Sequence, residues 1–97
     1  MSYGLTGTMR CKPDQRAAVI AILLNGVERL RDAGCHAYLV GEGEPDEIVV
    51  FEVWESKQHH DESLHLPEVR ASIGRAMPML TGELSNREVT VVGGLGL

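Results

Sequence analysis

The chain has 97 residues, of which 43% are hydrophobic, 24% charged and 4% aromatic, as is typical of a globular protein with a single domain over residues 1–97. Nine basic residues against fourteen acidic ones give a formal net charge of −5. This balance excludes nucleic acid and an anionic membrane surface as the main partner, because both bind cationic proteins. The longest apolar run, residues 17–24, is too short to span a bilayer. Because the N-terminus has no charged-then-apolar leader, we expect a cytoplasmic protein.

The first part of the chain predicts a strand, a helix and a second strand. Residues 3–11 alternate in polarity with the period of two that is typical of a strand. Pro13 then provides a helix-start signal, and apolar residues at steps of three and four predict a helix to about Ala33. Gly34 is expected to end this helix, and residues 35–40 predict the second strand.

Residues 48–55 predict a third strand, which an acidic turn segment at 41–47 separates from the second. The four acids of this segment are candidates for a cation site, but its turn-forming composition favours a solvated hairpin.

The last part of the chain predicts two helices and a fourth strand. Ser56 is a cap for a short helix to about residue 62, and Pro67 begins a longer helix. Pro78 is expected to end regular helix near residue 77. A final strand follows over residues 82–92, and residues 93–97 are expected to form a loose tail.

The element order β-α-β-β-α-β predicts a ferredoxin-like α+β fold, with four antiparallel strands and both helices on one face. In this topology the strands that carry Cys11 and Cys35 are not neighbours. We therefore expect two small buried thiols, with a metal or redox pair as the alternative.

The third strand has two apolar faces, of which the helices can cover only one. One face carries Val49, Phe51 and Val53, and the other carries Ile48, Val50, Glu52 and Trp54. We assign the helices to the first face, which leaves the face with Trp54 uncovered. Exposing each large apolar side chain would forgo about 1.5–3 kcal/mol. The sequence therefore predicts a homodimer in which two sheets meet face to face.

Glu52 and Trp54 are the first candidate site residues, because they share one face of a strand. A buried Glu52 requires a partner, either a backbone donor or an arginine such as Arg70, Arg75 or Arg87. Trp54 is interpreted either as a ligand contact or as a residue of the dimer interface.

The histidine-rich segment 59–65 is the second candidate site. His60 and His65 are five residues apart, whereas metal ligands on a helix are usually three or four apart, so a metal site is disfavoured. A histidine at the mouth of an apolar pocket can instead exchange a proton or contact substrate, and a structural role is the alternative. The sequence has no glycine-rich phosphate loop, CxxC motif or nucleophile elbow, so we expect no cofactor.

Several of these residues resemble one family. Phe51-Glu52-Val53-Trp54-Glu55, followed by His60-x-x-Ser63-x-His65, is similar to the pattern of the antibiotic biosynthesis monooxygenase (ABM) family, also called YgiN-like quinol monooxygenases. Lys12-Pro13 and Gly34-Cys35-x-x-Tyr38 extend the resemblance, which covers residues 4–92.

The resemblance implies a dimeric α/β barrel with a pocket between sheet and helices in each protomer. It also implies a monooxygenase without metal or flavin, whose partners are a phenolic or quinol-type aromatic small molecule and O2. The related haem-degrading proteins use an asparagine on the first strand, which residues 3–11 do not contain. A non-catalytic small-molecule binding protein and a purely structural domain are the alternatives.

The resemblance also implies roles for individual residues. His60 or His65 would exchange the proton, with Trp54 as the third catalytic candidate. Substrate binding is assigned to Tyr38, Trp54, Glu52 and Arg70.

Overall fold

A computed structural model describes residues 1–96 and contains one four-stranded antiparallel sheet with helices against it. The elements in chain order are β1 (Ser2–Cys11), α1 (Arg16–Leu24), a 3-10 helix (Val27–Ala33), β2 (Cys35–Glu42), β3 (Glu47–Trp54), α2 (Lys57–Ser63), α3 (Pro67–Ala76), a 3-10 turn (Met77–Met79) and β4 (Leu80–Val91). The strand order is β2-β3-β1-β4, so the predicted ferredoxin-like α+β fold is confirmed.

The first helix is shorter than the sequence predicts. It ends at Leu24, and Gly26 adopts a left-handed conformation with φ of 75°. Glycine adopts this conformation without strain and is unfavourable inside a helix, so it interrupts α1. The chain continues as the 3-10 helix, which ends at Gly34 with φ of 100°. The apolar periodicity continues through the break because Val27 and Leu30 still face the interior.

The predicted boundaries of the later helices are confirmed. The Ser56 hydroxyl accepts a hydrogen bond from the His59 backbone N–H at 3.2 Å and caps α2. Pro67 is the first residue of α3, and Pro78 lies in the 3-10 turn after the helix has ended. The strand β4 begins at Leu80, two residues before its predicted start.

Both cysteines are free and buried, as expected. Cys11 lies on β1 and Cys35 on β2, and β3 separates these strands in the sheet. The acidic segment forms the β2–β3 hairpin, where Arg16 forms a salt bridge with Glu42 at 3.5 Å. Within residues 1–96, no group of three or more His, Cys, Asp or Glu side chains is placed to bind a metal ion.

Residues 93–96 are exposed and belong to no helix or strand, and the predicted tail at 93–97 ends at a residue outside the described part of the chain. None of the helices between residues 1 and 96 has the length and apolarity that crossing a bilayer requires.

The assignment of the helices to one face of β3 was wrong. Ile48 is 0% and Trp54 1% exposed, and Ile48 packs in one cluster with Val19 of α1 and Ala76 of α3. The helices therefore cover the face that carries Trp54. The opposite face, called the open face below, carries Val49, Phe51 and Val53 of β3 together with their cross-strand partners on β1 and β2.

Strand register explains this outcome. Ile48 is paired with Met9, so it shares a face with the apolar side of β1, whereas Val49 is paired with Thr8. The helices cover the face on which both strands are apolar, because burying it removes more apolar surface from water.

Candidate functional site

A cavity of about 460 Å³ lies between the covered face of the sheet and the helices. Its size is within the range of about 300–1,000 Å³ that is usual for small-molecule sites. Apolar residues of α1, the 3-10 helix and α3 form much of its wall. The sheet contributes Met9, Tyr38, Glu52, Trp54, Leu80 and Leu84 to the lining. The cavity beside Trp54 is therefore formed within one chain.

Glu52 and Trp54 are joined by a hydrogen bond inside this cavity. Residues two apart on a strand project from the same face, and the Trp54 Nε1–H donates to Glu52 Oε1 at 2.9 Å. The partner of the partly buried carboxyl group is thus the indole and not one of the arginines that the sequence suggested. The Glu-x-Trp spacing on a strand was the signal for this pair.

Burial raises the pKa of Glu52, while the Trp54 hydrogen bond and the charge of His60 oppose this shift. Desolvation dominates because a carboxylate loses more hydration energy than a neutral carboxyl group. Glu52 therefore keeps its proton to a higher pH than an exposed glutamate and can act there as an acid or a hydrogen-bond donor.

Tyr38 is the cross-strand partner of Glu52 on β2. Burial, together with the negative charge of Glu52, raises the pKa of its phenol group, so the hydroxyl stays protonated. Among residues 1–96, no group forms a hydrogen bond with this hydroxyl. It is therefore available as a donor to a molecule in the cavity.

His60 of α2 lines the cavity, and its side chain is 13% exposed. Its ring meets the Trp54 ring edge to face, with centroids 5.6 Å apart and an interplanar angle of 81°. The Ser63 hydroxyl donates to the His60 backbone carbonyl at 2.6 Å. The short capped helix α2 therefore holds an imidazole against the indole.

The remaining two predicted site residues, His65 and Arg70, are exposed and do not line the cavity. The structure therefore brings together Tyr38, Glu52, Trp54 and His60, but neither His65 nor Arg70.

Sequence reasoning considered Arg75 only as a possible partner of Glu52 and missed the polar stripe on α3 to which it belongs, which lines the cavity. The stripe consists of Glu68, Ser72 and Arg75, which follow each other at steps of four and three. This helical spacing was the available signal, because it places the three side chains on one side of the helix. Arg29 of the 3-10 helix is a second arginine in the lining.

Comparison with solved structures supports the fold. A candidate antibiotic biosynthesis monooxygenase from Chloroflexus aurantiacus J-10-fl is 40% identical over 99% of this chain and 98% of its own, with a TM-score of 0.90. Rv0793 from Mycobacterium tuberculosis is 22% identical over 98% of this chain and 99% of its own, with a TM-score of 0.82. No curated protein is significantly similar to the chain.

The family comparison is more specific. The model of the family described as "Antibiotic biosynthesis monooxygenase" matches residues 2–75, which include the Glu52-x-Trp54 pair and His60. The resemblance that the sequence motifs indicate is thereby confirmed. The chain belongs to the antibiotic biosynthesis monooxygenase family.

Proposed function

We propose that this protein is a monooxygenase that oxidises a phenolic or quinol-type aromatic molecule with O2, without a cofactor, in the cavity beside Trp54. The observation that carries the proposal is the placement of Tyr38, Glu52 and His60 around one indole in a largely apolar hollow. Family membership supports a monooxygenase activity.

The proposed reaction needs no electron donor other than the substrate. A phenol loses its proton, and the electron-rich anion reduces O2. One oxygen atom enters the ring to give a quinone, and the other leaves as water, so that phenol itself and one molecule of O2 would give one benzoquinone and one water. The protein has to exclude water, hold the anion and move protons.

The cavity residues suit these three tasks. The Trp54 indole offers an aromatic wall for the substrate ring, and the Tyr38 hydroxyl is a donor for the substrate oxygen. His60 is the proposed proton acceptor, since histidine is the side chain that most often acts as a general base. Arg75, in place of Arg70, is proposed to balance the charge of the anion, because it belongs to the cavity lining.

Oxygen uptake with dithranol or a simple hydroquinone as substrate tests the proposal. We expect substrate-dependent uptake by the wild type, and a rate about 10²–10⁴-fold lower for His60→Ala. His65→Ala is the matched variant outside the cavity lining and should keep its rate. Folded protein that consumes no oxygen contradicts the proposal. If such protein still binds the aromatic compound, the non-catalytic binding protein is the correct alternative.

We also propose that a second copy of the chain covers the open face of the sheet. Leu39 is 64% and Val49 39% exposed on this face, next to the apolar side chains of Phe51, Val89 and Val91. A contiguous apolar patch of this kind is typical of an interface between subunits.

Analytical ultracentrifugation at micromolar concentration tests the second copy. We expect a dimer for the wild type and a shift to monomer for Leu39→Lys. Leu24→Lys is the matched control, because Leu24 is also an exposed leucine but lies on α1, on the other side of the sheet. A monomeric wild type contradicts this part of the proposal.

A further inference from the structure

We infer that Asp61 is a positioning residue for His60: it fixes the imidazole as the tautomer with a proton on Nδ1, which leaves Nε2 as the free proton acceptor. The catalytic consequence rests on the proposed function, but the tautomer itself does not. Asp61 follows His60 directly in α2, and it lies outside the cavity lining.

The geometry that supports this inference is a contact between the ring and the carboxylate. His60 Nδ1 lies 3.0 Å from Asp61 Oδ1, which is within hydrogen-bond distance. Among residues 1–96, no other group forms a hydrogen bond with either ring nitrogen of His60. A carboxylate can only accept, so the shared proton belongs to Nδ1.

The neighbouring groups keep Asp61 ionised. Hydrogen bonding from His60 and the positive charge of Lys57, whose Nζ lies 3.7 Å from Asp61 Oδ2, lower the pKa of Asp61. An ionised carboxylate is a stronger acceptor than a neutral amide or water, so it favours the Nδ1–H tautomer. Lys57 in turn contacts Glu88 at 3.1 Å, which ties α2 to β4.

The groups around the ring leave the other nitrogen free. The centroid of the His60 ring lies 5.6 Å from that of the Trp54 ring and 5.5 Å from that of the Tyr3 ring on β1. Glu52 of β3 is close enough for the charge of His60 to affect its titration. The Tyr3 hydroxyl donates to Glu88 at 2.8 Å, and the Trp54 N–H donates to Glu52. None of these groups is therefore bonded to His60 Nε2.

In the proposed reaction, His60 acts inside the cavity and Asp61 supports it from outside. His60 lines the cavity, where an unprotonated Nε2 can take a proton from a phenol. Asp61 is half exposed, with a side-chain accessibility of 51%, and it stabilises the imidazolium that forms. A carboxylate that holds a histidine in one tautomer is a common arrangement in enzymes that transfer protons.

Long-range ¹H–¹⁵N correlation spectra of ¹⁵N-histidine-labelled protein test the tautomer. They are recorded at about pH 9, well above the ordinary pKa of imidazole. We expect His60 to show a protonated Nδ1 and a bare Nε2, and Asp61→Ala to shift it to the Nε2–H form that free histidine prefers. Lys57→Gln is the control, which removes a neighbour of Asp61 but leaves the carboxylate, and it should keep the wild-type pattern.

The same spectra can overturn the inference without any substrate. An Nε2–H tautomer in the wild type, or an unchanged tautomer in Asp61→Ala, contradicts it. If Asp61→Ala does not fold, Asp61→Asn replaces it, since a neutral amide is the weaker acceptor, and the wild-type spectrum remains decisive.

Oxygen uptake then separates the inference from the proposed function. For Asp61→Ala we expect kcat to fall about 10-fold, the lower end of the effect of removing such a partner, with KM little changed. A confirmed tautomer without any oxygen uptake contradicts only the proposed function. Uptake that is equal in wild type and Asp61→Ala contradicts the positioning role.

Discussion

The two faces of the sheet differ in what their side chains can do. The covered face combines apolar residues with polar groups, and its Tyr38, Glu52 and Trp54 surround a cavity. The open face consists of aliphatic side chains, one phenylalanine, threonines, small residues, Arg87 of β4 and charged residues at the strand ends. Polar groups inside a hollow suit a ligand, whereas an apolar surface without a hollow suits another protein surface.

One residue of the open face, Val53, is buried within the single chain, although no helix covers it. Its cross-strand partner is Gly4, and a Cβ atom at Gly4 would lie 2.7 Å from Val89 and 2.8 Å from Val91. Because Gly4 has no side chain, the two valines of β4 extend over it and bring the apolar groups of this face together.

The largest expected effect is a difference in stability between adjacent residues of β3. Ile48→Ala should lower the free energy of unfolding by about 2–5 kcal/mol, because it leaves a void in the core. Val49→Ala should cost less than about 1 kcal/mol in a single chain, since Val49 is exposed. Urea unfolding of both substitutions in the Leu39→Lys background, which is expected to be monomeric, measures the difference. Equal losses in that background would contradict the assignment of the faces.

A smaller effect is expected from the hydrogen bond inside the cavity. Trp54→Phe removes the indole N–H and leaves the partly buried Glu52 carboxyl without its donor, which should cost about 1–3 kcal/mol. Tyr3→Phe is the matched control, because it also removes one hydrogen bond to a glutamate, but at an exposed position. Thermal unfolding should show a lower Tm for Trp54→Phe than for Tyr3→Phe. The reverse order would show that the Glu52–Trp54 bond does not stabilise the fold.

The smallest expected effect is a dependence of stability on pH. The pKa of Glu52 is raised in the folded protein above its ordinary value of 4.5, so the folded state binds the proton more tightly than the unfolded state. The contribution of Glu52 to stability is therefore fully present below pH 4.5 and is lost as the pH rises through the folded-state pKa.

Glu52→Gln tests this dependence, because glutamine does not titrate and still offers an oxygen to the Trp54 N–H. We expect the variant to gain stability relative to the wild type as the pH rises from 4 to 8 in chemical unfolding experiments. A constant difference between the two proteins over this range would mean that Glu52 is not desolvated.

The order of the elements was predictable because each one has a local signal. Pro13, Ser56 and Pro67 mark helix starts, and strand alternation identified the two faces of β3 correctly. The face that meets the helices was not predictable from β3 alone, because both faces are apolar. Pairing β3 with β1 was required, since only the register shows that Ile48 lies beside Met9.

The candidate site was predictable only where its residues lie close together in the sequence. Glu52, Trp54 and His60 lie within nine residues and carry the family pattern, so the sequence identified them. Arg75 reaches the same cavity from α3, and its contribution depends on how that helix lies over the sheet. His65, only five residues after His60, lies after the end of α2, where its neighbours Leu64 and Leu66 line the cavity and His65 itself is exposed.

The central claim is that the cavity beside Trp54 binds an aromatic substrate. Trp54 is the single tryptophan of the chain, so an anaerobic titration with dithranol that follows indole fluorescence measures binding at this site directly. We predict saturable quenching in the wild type and its loss in Ala71→Phe, which fills the cavity, but not in Ala18→Phe on the exposed surface of α1. Absence of quenching in the wild type, or equal quenching in all three proteins, would contradict the claim.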